Sequence, residues 1–303
     1  MSNSEAKTIL LAGGTGLVGN RLADHLRSKN FKVIFLSRKA PAGDPSLFNW
    51  NPEKQTIDEE AIRQADVIIN LAGTGIAGKR WSAGQKRSIV NSRYFSTELL
   101  YQSLARIPNK VSLVINASAI GIYGNNGNLI IREDAHPAKD FLGRTCRRWE
   151  ETASKFATLN KRLVIFRIGL VMTKDGGFLK ELLKPLKFGI APVFGCGEQY
   201  QSWIHIDDLC GMMLKAILNN KIEGTYNAVA PCPLSNYNLM KLINQLMGQK
   251  AMMIKIPGFI MKLILGEMSV LLLEGSRVSS KKIEEAGYQF KFPLASNALR
   301  DLL

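Results

Sequence analysis

Three glycines near the N-terminus have the spacing of a loop that holds a phosphate group. They stand at 13, 16 and 19, after the apolar run 9–12 and at the start of a helical pattern. In such a loop the first glycine allows a tight bend, the second lets the backbone approach a pyrophosphate, and the third lets helix and strand pack closely. The helix N-terminus then offers free N–H groups to the anion. The candidate cradle comprises Gly13, Thr15, Gly16, Leu17, Val18 and Gly19.

A second apolar run, 32–36, ends in a hydroxyl and two cations, Ser37, Arg38 and Lys39, with no carboxylate until Asp44. At this place in a dinucleotide-binding fold, an acidic residue accepts from a ribose 2′-hydroxyl, whereas arginine accommodates a 2′-phosphate. The pattern favours NADP(H) over NAD. The alternative is that the two cations merely flank a loop.

Two further strand ends carry candidate residues. The run 65–70 closes on Leu71, Ala72 and Gly73, which would lie beside the glycine loop and line the adenosine and pyrophosphate side. The run 112–117 leads into Ser118 and Tyr123, a hydroxyl and a phenol placed where a nicotinamide ring would bind. We expect both to be catalytic, and Ser118 also to contact the cofactor; the alternative is that they simply close a strand.

A short motif later in the chain contains His205, followed by Asp207 and Asp208. A histidine titrates near neutral pH, so His205 is a candidate substrate contact. The alternative is a structural histidine hydrogen-bonded under a loop. One of the two aspartates, Asp208 in preference to Asp207, is expected to cap the helix that follows.

Strands and helices alternate along most of the chain, which predicts an α/β fold: a Rossmann-type, doubly wound parallel sheet with a smaller, mainly helical C-terminal lobe. We predict an NADP-binding domain over 1–230, in which 172–202 contribute to the substrate side, and a C-terminal substrate-side domain over 231–303. Residues 41–58 are expected to be irregular, 224–229 to form the last strand, and 234–247, 258–273 and 279–286 to form helices.

Composition limits the partners. The formal net charge is +15, but the cations are scattered, which indicates a solvated surface and argues against a nucleic-acid partner. The apolar stretch 254–273 contains two lysines, a glutamate and a proline, so a packed amphipathic helix is expected rather than a membrane span. Four cysteines without a pairing pattern and a short polar N-terminus predict a cytoplasmic protein that acts on a small molecule without a membrane partner. Oligomeric state stays open.

Several stretches together resemble the extended short-chain dehydrogenase/reductase superfamily. The resemblance is closest to its atypical epimerase branch, nucleoside-diphosphate-sugar-epimerase-like proteins with a C-terminal domain of the DUF1731 type. It rests on the segments 13–19, 36–39, 70–73, 92–93, 149–150, 167–170, 202–208, 272–275 and 281–292. The resemblance implies NADP contacts at Ser37 and Arg38, Leu71 and Ala72, Arg93, and Leu170.

The resemblance fails at the superfamily's catalytic pair, a tyrosine four residues before a lysine. Placing Glu150 on the usual helix acid puts Leu142 and Cys146 at the two positions, and a slip by one residue gives Phe141 and Thr145. Two functions therefore remain. The first is an NADP-dependent epimerase or oxidoreductase acting on a small polar substrate such as a sugar nucleotide. The second is a non-catalytic NADP-binding sensor or adaptor.

Overall fold

The computed structural model describes residues 6–40, 43–248 and 250–303. Its strands are β1 Thr8–Ala12, β2 Lys32–Ser37, β3 Leu47–Asn51, β4 Thr56–Ile57, β5 Val67–Asn70, β6 Leu113–Ala119, β7 Gly127–Ile131, β8 Arg162–Ile168, β9 Leu170–Met172, β10 Ile190–Phe194, β11 Tyr200–Gln201, β12 Trp203–His205, β13 Gly224–Ala228, β14 Leu234–Ser235, β15 Met252–Ile256 and β16 Ser276–Val278. Its α-helices are α1 Leu17–Arg27, α2 Glu59–Gln64, α3 Ala83–Arg106, α4 Phe141–Ser154, α5 Gly177–Leu186, α6 Ile206–Leu218, α7 Asn236–Leu246, α8 Gly258–Leu265, α9 Val270–Leu273, α10 Lys281–Glu285 and α11 Ala295–Leu302. Short 3₁₀ turns cover Ile120–Tyr123, Lys155–Leu159 and Gly266–Ser269.

The central sheet has eight strands in the order β13-β8-β6-β5-β1-β2-β3-β4. Every neighbouring pair is parallel except β3 and β4, which are antiparallel. Strand β1 lies between β2 and β5, so the direction of winding reverses at β1. Ligands of such sheets bind at the carboxyl ends of the strands beside this reversal.

The two faces of the sheet pack against separate helical layers. Ile9 and Leu11 of β1 belong to a core that includes Leu209 of α6, whereas Leu10 belongs to a second core that includes Leu100 of α3. Successive side chains of a strand point to opposite faces, so a strand covered on both sides is apolar throughout. The predicted Rossmann-type, doubly wound sheet is confirmed.

The prediction that 41–58 is irregular is wrong for two short strands. Residues 47–51 and 56–57 form the hairpin of β3 and β4; Pro41 and Ala42 lie outside the described residues. The Asn51 side chain accepts hydrogen bonds from the backbone N–H groups of Glu53 and Lys54, both at 3.1 Å. Asparagine is common in turns because its side chain satisfies nearby backbone donors. Asn51 therefore closes a hairpin here rather than interrupting regular structure.

The C-terminal lobe has its own core, in which Met172, Phe194 and Trp203 pack with Leu239 and Leu299. Residues from before position 203 therefore share this core with the last helix of the chain. The lobe is mainly helical, as predicted, but the strand at 224–228 is not the last one, because β14, β15 and β16 follow. The domain boundary near 230 stays a prediction.

The single helix predicted over 258–273 is divided in the structure. Helix α8 ends before Gly266, whose φ of +60° lies in the left-handed region that favours glycine. A 3₁₀ turn follows, and then α9. Residues 252–256 form strand β15 beside β10. In the described parts of the chain, no helix combines the length and the apolar character required to cross a bilayer.

Candidate functional site

The glycine loop between β1 and α1 is packed tightly against the loop that follows β5. Gly13 has a φ of +80°, and a Cβ atom on it would lie 2.8 Å from the backbone nitrogen of Ala72. A Cβ atom on Gly19 would lie 2.6 Å from the carbonyl oxygen of Gly13. Helix α1 starts at Leu17 with no acidic residue in its first turn and no side-chain cap on its first N–H groups. This loop therefore presents backbone donors in the arrangement that binds an anion.

A cavity of about 750 Å³ opens at this loop. It lies at the carboxyl ends of β1, β2 and β5, beside the reversal of winding. Its lining residues are Gly13, Thr15, Gly16, Leu36, Ser37, Arg38, Lys39, Trp50, Asn51, Pro52, Glu53, Leu71, Ala72, Gly73, Thr74, Ser92, Phe95 and Ser96. The cavity thus brings together three loops that the sequence separates by up to 60 residues.

The cavity lining contains nine of the residues expected to contact a cofactor: Gly13, Thr15, Gly16, Ser37, Arg38, Lys39, Leu71, Ala72 and Gly73. Leu17, Val18 and Gly19 lie in the first turn of α1, next to this lining. Leu170 starts β9, pairs with Trp203 and packs against the core of the C-terminal lobe. Assignments of these residues as cofactor contacts stay predictions.

The end of β2 forms a cationic corner of the cavity. The Ser37 hydroxyl accepts a hydrogen bond from the backbone N–H of Lys39 at 3.2 Å. Arg38 and Lys39 are exposed, and neither makes an ion pair with any residue that the structure describes. Glu53, from the hairpin of β3 and β4, also lines the cavity. Sequence reasoning missed this carboxylate, since it considered only the acids directly following β2.

Arg93, on α3, lies beneath the loop that follows β5. Its guanidinium donates to the carbonyl oxygens of Thr74 and Ile89 at 3.1 and 3.0 Å and stacks over the Trp149 ring at 5.1 Å. A Cβ atom on Gly73 would lie 3.1 Å from its Cζ atom. Burial lowers the pKa of Arg93, and within residues 6–40, 43–248 and 250–303 no carboxylate pairs with it. A half-buried cation without a counter-ion beside the cavity suits an anionic ligand.

A buried hydrogen-bond network of amide and hydroxyl side chains holds the loop that follows β5 in place. Asn70, at the end of β5, donates to Thr97 at 3.0 Å and to Asn116 at 2.8 Å. Its carbonyl oxygen accepts from the backbone N–H of Ala72 at 3.2 Å. Trp149 completes the network with a bond to Thr97 at 3.1 Å. The signal available in the sequence was an asparagine near the end of each of two successive apolar runs, 67–70 and 113–117; the structure pairs the two asparagines in register.

Ser118 and Tyr123 belong to one buried ionic network. The Ser118 hydroxyl donates to Glu150 at 2.6 Å, and Arg167 donates to both oxygens of Glu150 at 2.9 and 2.8 Å. Arg167 also donates to the Tyr123 hydroxyl at 2.8 Å. The Tyr123 hydroxyl in turn donates to Asn227 at 2.6 Å. Five elements of the fold are joined through these contacts.

The surroundings of Tyr123 do not support its expected catalytic role. The residue is 3% exposed, and its hydroxyl both accepts and donates a hydrogen bond within the protein. Burial raises the pKa of Tyr123 to about 12, so its phenol stays protonated at neutral pH. Ser118 is buried too, with its proton directed at Glu150. The geometry suits a structural cross-link between strands and helix α4.

His205 lies under the C-terminal lobe and does not line the cavity. Its Nδ1 atom accepts from the backbone N–H of Asp207 at 3.1 Å and caps α6, and its ring stacks on Phe292 at 3.9 Å. Burial lowers the pKa of His205, although Asp207 and Asp301 oppose this shift. The neutral, capping histidine matches the structural alternative and gives no support to a substrate contact.

The expectation that an aspartate caps α6 is wrong, because His205 occupies that position. Asp207 instead pairs with Arg21 at 2.7 Å. Asp208 is buried and accepts from the backbone N–H groups of Lys291 and Phe292 at 2.8 and 2.9 Å. This carboxylate therefore anchors the C-terminal segment to the sheet domain.

Two stretches of the chain match models of known protein families. Residues 9–228 match the model of the "NAD dependent epimerase/dehydratase family", and residues 256–302 match a "domain of unknown function (DUF1731)". The chain belongs to the NAD-dependent epimerase/dehydratase family. The resemblance stated from the sequence is thereby confirmed.

Relatives of this epimerase-family chain match it from end to end. It is 34% identical over 306 residues to an epimerase family protein of Staphylococcus aureus (strain N315), covering 98% of this chain and 99% of the relative. It is 30% identical over 297 residues to an epimerase family protein of Mycobacterium leprae (strain TN), covering 98% and 95%. The crystal structure of human epimerase family protein SDR39U1 (isoform 2) with NADPH is similar with a TM-score of 0.88 at 27% identity, covering 97% and 98%.

In this epimerase-family protein, helix α4 contains neither tyrosine nor lysine along its described length, Phe141–Ser154. Leu142, which the resemblance aligns with the superfamily's tyrosine, lies 3.4 Å from the position of a Cβ atom on Gly121. Cys146, aligned with the lysine, is buried, and burial raises the pKa of its thiol to about 12. Neither side chain can exchange a proton at neutral pH.

Proposed function

We propose that this protein binds NADP(H) in the cavity at the glycine loop and acts on a small polar substrate as an epimerase- or oxidoreductase-like protein. The observation that carries the proposal is the cavity itself, which joins a glycine cradle and a cationic corner, with the half-buried Arg93 beneath the loop that lines it. At Gly13 and Gly19 a Cβ atom would clash with neighbouring backbone, so glycine allows the compact loop and close helix packing that a pyrophosphate cradle requires.

Each part of the cavity suits one part of the dinucleotide. The first turn of α1 would hold the pyrophosphate through backbone N–H groups. Ser37, Arg38 and Lys39 would hold the 2′-phosphate, since guanidinium and phosphate form charge-assisted hydrogen bonds. Leu71 and Ala72 would pack against the adenosine side. The human relative with NADPH supports the choice of the phosphorylated cofactor.

A bound nicotinamide supplies hydride chemistry; the protein supplies position and charge. In family members with the tyrosine–lysine pair, general acid–base catalysis of this kind accounts for about 10²–10⁴-fold in rate. Here Tyr123 and Ser118 are engaged in the Glu150–Arg167 network. We therefore expect any turnover to be slow unless the substrate reacts without strong acid–base assistance.

A second candidate function rests on that same network. Because both hydroxyls are hydrogen-bonded inside the protein, a non-catalytic NADP-binding sensor or adaptor is consistent with the geometry. The sensor function requires that NADP(H) binding changes conformation or the affinity for a partner. The enzyme function requires turnover of a substrate.

A thermal-shift titration with NADPH, NADP, NADH and NAD tests the cofactor proposal, because a ligand that binds the folded state raises its melting temperature. A shift with the phosphorylated pair alone is the expected result, and equal shifts with both pairs would refute the assignment of Arg38. A screen of nucleotide sugars and carbonyl compounds with NADP(H) then separates the two functions. Robust turnover would exclude the sensor, whereas tight binding without turnover would favour it.

A further inference from the structure

The parallel ribbon of β10 and β15 leaves several apolar side chains exposed, mainly on β15. Ile190 pairs in register with Met252, and both side chains are exposed, Met252 to 70%. The alternate residues Ala191 and Val193 are buried in the opposite face. Phe188, directly before β10, is exposed as well. Pro192 and Phe194, on the same side of β10 as Ile190, are buried too, so the exposed apolar side chains of the ribbon are Ile190 of β10 and Met252 and Ile254 of β15.

Helix α8 follows this ribbon after Pro257 and also exposes large apolar side chains. Phe259 and Leu263 lie one helical turn apart and are 71% and 76% exposed, and Ile264 is exposed beside them. Within Gly258–Leu265, Met261 alone is buried. Together these exposed side chains form what we call the apolar ridge: Phe188, Ile190, Met252, Ile254, Phe259, Leu263 and Ile264. Three of them, Phe259, Leu263 and Ile264, lie on one short helix, and soluble domains rarely expose several large apolar side chains on one element unless the surface binds something.

Lysines neighbour the apolar ridge along the chain. Between positions 236 and 265 the sequence has lysines at 241, 250, 255 and 262 and no aspartate or glutamate. Lys250, Lys255 and Lys262 are exposed, and none of the three pairs with a carboxylate of the described chain. This run, whose charged residues are all lysines, contains five of the seven ridge residues: Met252, Ile254, Phe259, Leu263 and Ile264.

We propose that the apolar ridge binds the surface of an anionic lipid bilayer. Apolar side chains flanked by lysines insert at the boundary of headgroups and acyl chains, while the ammonium groups contact lipid phosphates. Lysine also reaches the headgroups while its methylene stem covers apolar surface. A protein partner fits less well, because protein–protein interfaces are depleted of lysine at their centres. Under this proposal the protein binds the membrane surface without spanning the bilayer. The proposal therefore differs from the expectation, drawn from the sequence, that the protein has no membrane partner.

Sedimentation of the full chain with lipid vesicles tests this proposal. We expect binding to phosphatidylcholine–phosphatidylglycerol vesicles at about 3:1, little binding to phosphatidylcholine alone, and weaker binding as salt is added. Two double variants probe the two kinds of contact. Phe259→Glu with Leu263→Glu, and separately Lys255→Gln with Lys262→Gln, are each expected to reduce the partition coefficient by about tenfold or more.

The matched control is Leu218→Glu, at the end of α6 and outside the ridge, where the leucine is 67% exposed. It should bind vesicles like the wild type. The melting temperature of each variant without cofactor reports folding independently of vesicle binding and of NADPH, so failure of the cofactor proposal would not be mistaken for failure of this one. Absence of binding to the anionic vesicles, or equal binding by the Phe259→Glu, Leu263→Glu variant, would overturn the proposal. So would light scattering that shows a dimer which this variant dissociates, since the ridge would then bind a second copy.

Discussion

Arg167 and Glu150 form a bidentate, almost fully buried ion pair at the centre of the protein. Nε and Nη2 of Arg167 donate to the two carboxylate oxygens at 2.9 and 2.8 Å. Burial alone would lower the pKa of Arg167, but the bonds to Glu150 raise it above its ordinary value. The pair also holds Ser118 and Tyr123, so the two hydroxyls at the strand end are structural partners of one charge pair.

Removing one charge of this pair should destabilise the fold strongly. In Glu150→Gln the guanidinium of Arg167 stays buried without a counter-ion, which typically costs roughly 3–5 kcal/mol. Urea titrations of the wild type and the variant measure the free energy of unfolding. Glu151→Gln, on the same helix but in an exposed pair with Arg147, is the control and should change it by less than about 0.5 kcal/mol. Equal effects of the two substitutions would contradict the structural role of the pair.

Tyr123→Phe separates the structural role of the phenol from a catalytic one. Arg167 and Asn227 each lose a partner inside the protein, so we expect the free energy of unfolding to fall by about 1–3 kcal/mol. NADPH affinity should stay within about twofold of the wild type, a change of less than about 0.5 kcal/mol. The control is Tyr101→Phe, whose hydroxyl makes only an exposed 3.5 Å contact to Thr158. A stable variant that has lost turnover of an identified substrate would instead make Tyr123 catalytic.

Gly19→Ala tests the close packing of α1 on the glycine loop. The added Cβ would lie 2.6 Å from the Gly13 oxygen and from the Gly14 Cα, both backbone atoms that cannot rotate away. Overpacking of this kind costs about 1–3 kcal/mol of stability, and NADPH binding should weaken because the loop must shift. Gly84→Ala in α3 meets only Ser82 at 3.9 Å and should be neutral or stabilising by up to about 1 kcal/mol. If both variants unfold at the same urea concentration as the wild type, the packing argument is wrong.

Folding stability should fall as the pH drops below the ordinary histidine range. Burial lowers the pKa of His205, and of His25, relative to the unfolded chain, so below about pH 6.5 the unfolded state binds more protons. Stability therefore decreases from about pH 6.5 down to the folded-state pKa values, and does not change through this linkage above about pH 7.5. Urea titrations across this range measure the slope.

His205→Asn keeps a side chain that can cap α6 and removes the titrating ring, so the pH slope should become shallower. His136→Asn, at an exposed position, serves as the control and should leave the slope unchanged. A His205→Asn variant with the full wild-type slope would show that the buried histidine does not contribute to it.

The parts of the site that follow from local pattern were predictable from the sequence. Gly13 and Gly19 are required by backbone geometry, because a left-handed φ and a close approach exclude a side chain at those positions. The residues at the end of β2 follow from the direction of a parallel strand, which fixes the edge at which they emerge. Such constraints act over a few residues, and the structure places both segments on one cavity.

The rest depends on contacts between distant segments. Trp50 reaches the cavity because β3 pairs with β2, and Glu53 does so because the turn at Asn51 follows directly on β3. Tyr123 is buried because Arg167 and Asn227, from β8 and β13, meet its hydroxyl. No local spacing encodes either arrangement, so a phenol at a strand end looks the same in sequence whether it is catalytic or structural.

The central claim is that Arg38 and its neighbours select the 2′-phosphate of NADP(H). Isothermal titration calorimetry of the wild type and of Arg38→Ala with NADPH and NADH measures this selection directly. The control is Lys54→Ala, because Lys54 is an exposed cation on the hairpin of β3 and β4 and does not line the cavity. Loss of a charge-assisted contact predicts a reduction of NADPH affinity by about 10–100-fold in Arg38→Ala, with NADH affinity almost unchanged. Equal affinity of the wild type for NADPH and NADH, or an equal loss for both cofactors in Arg38→Ala, would contradict the claim.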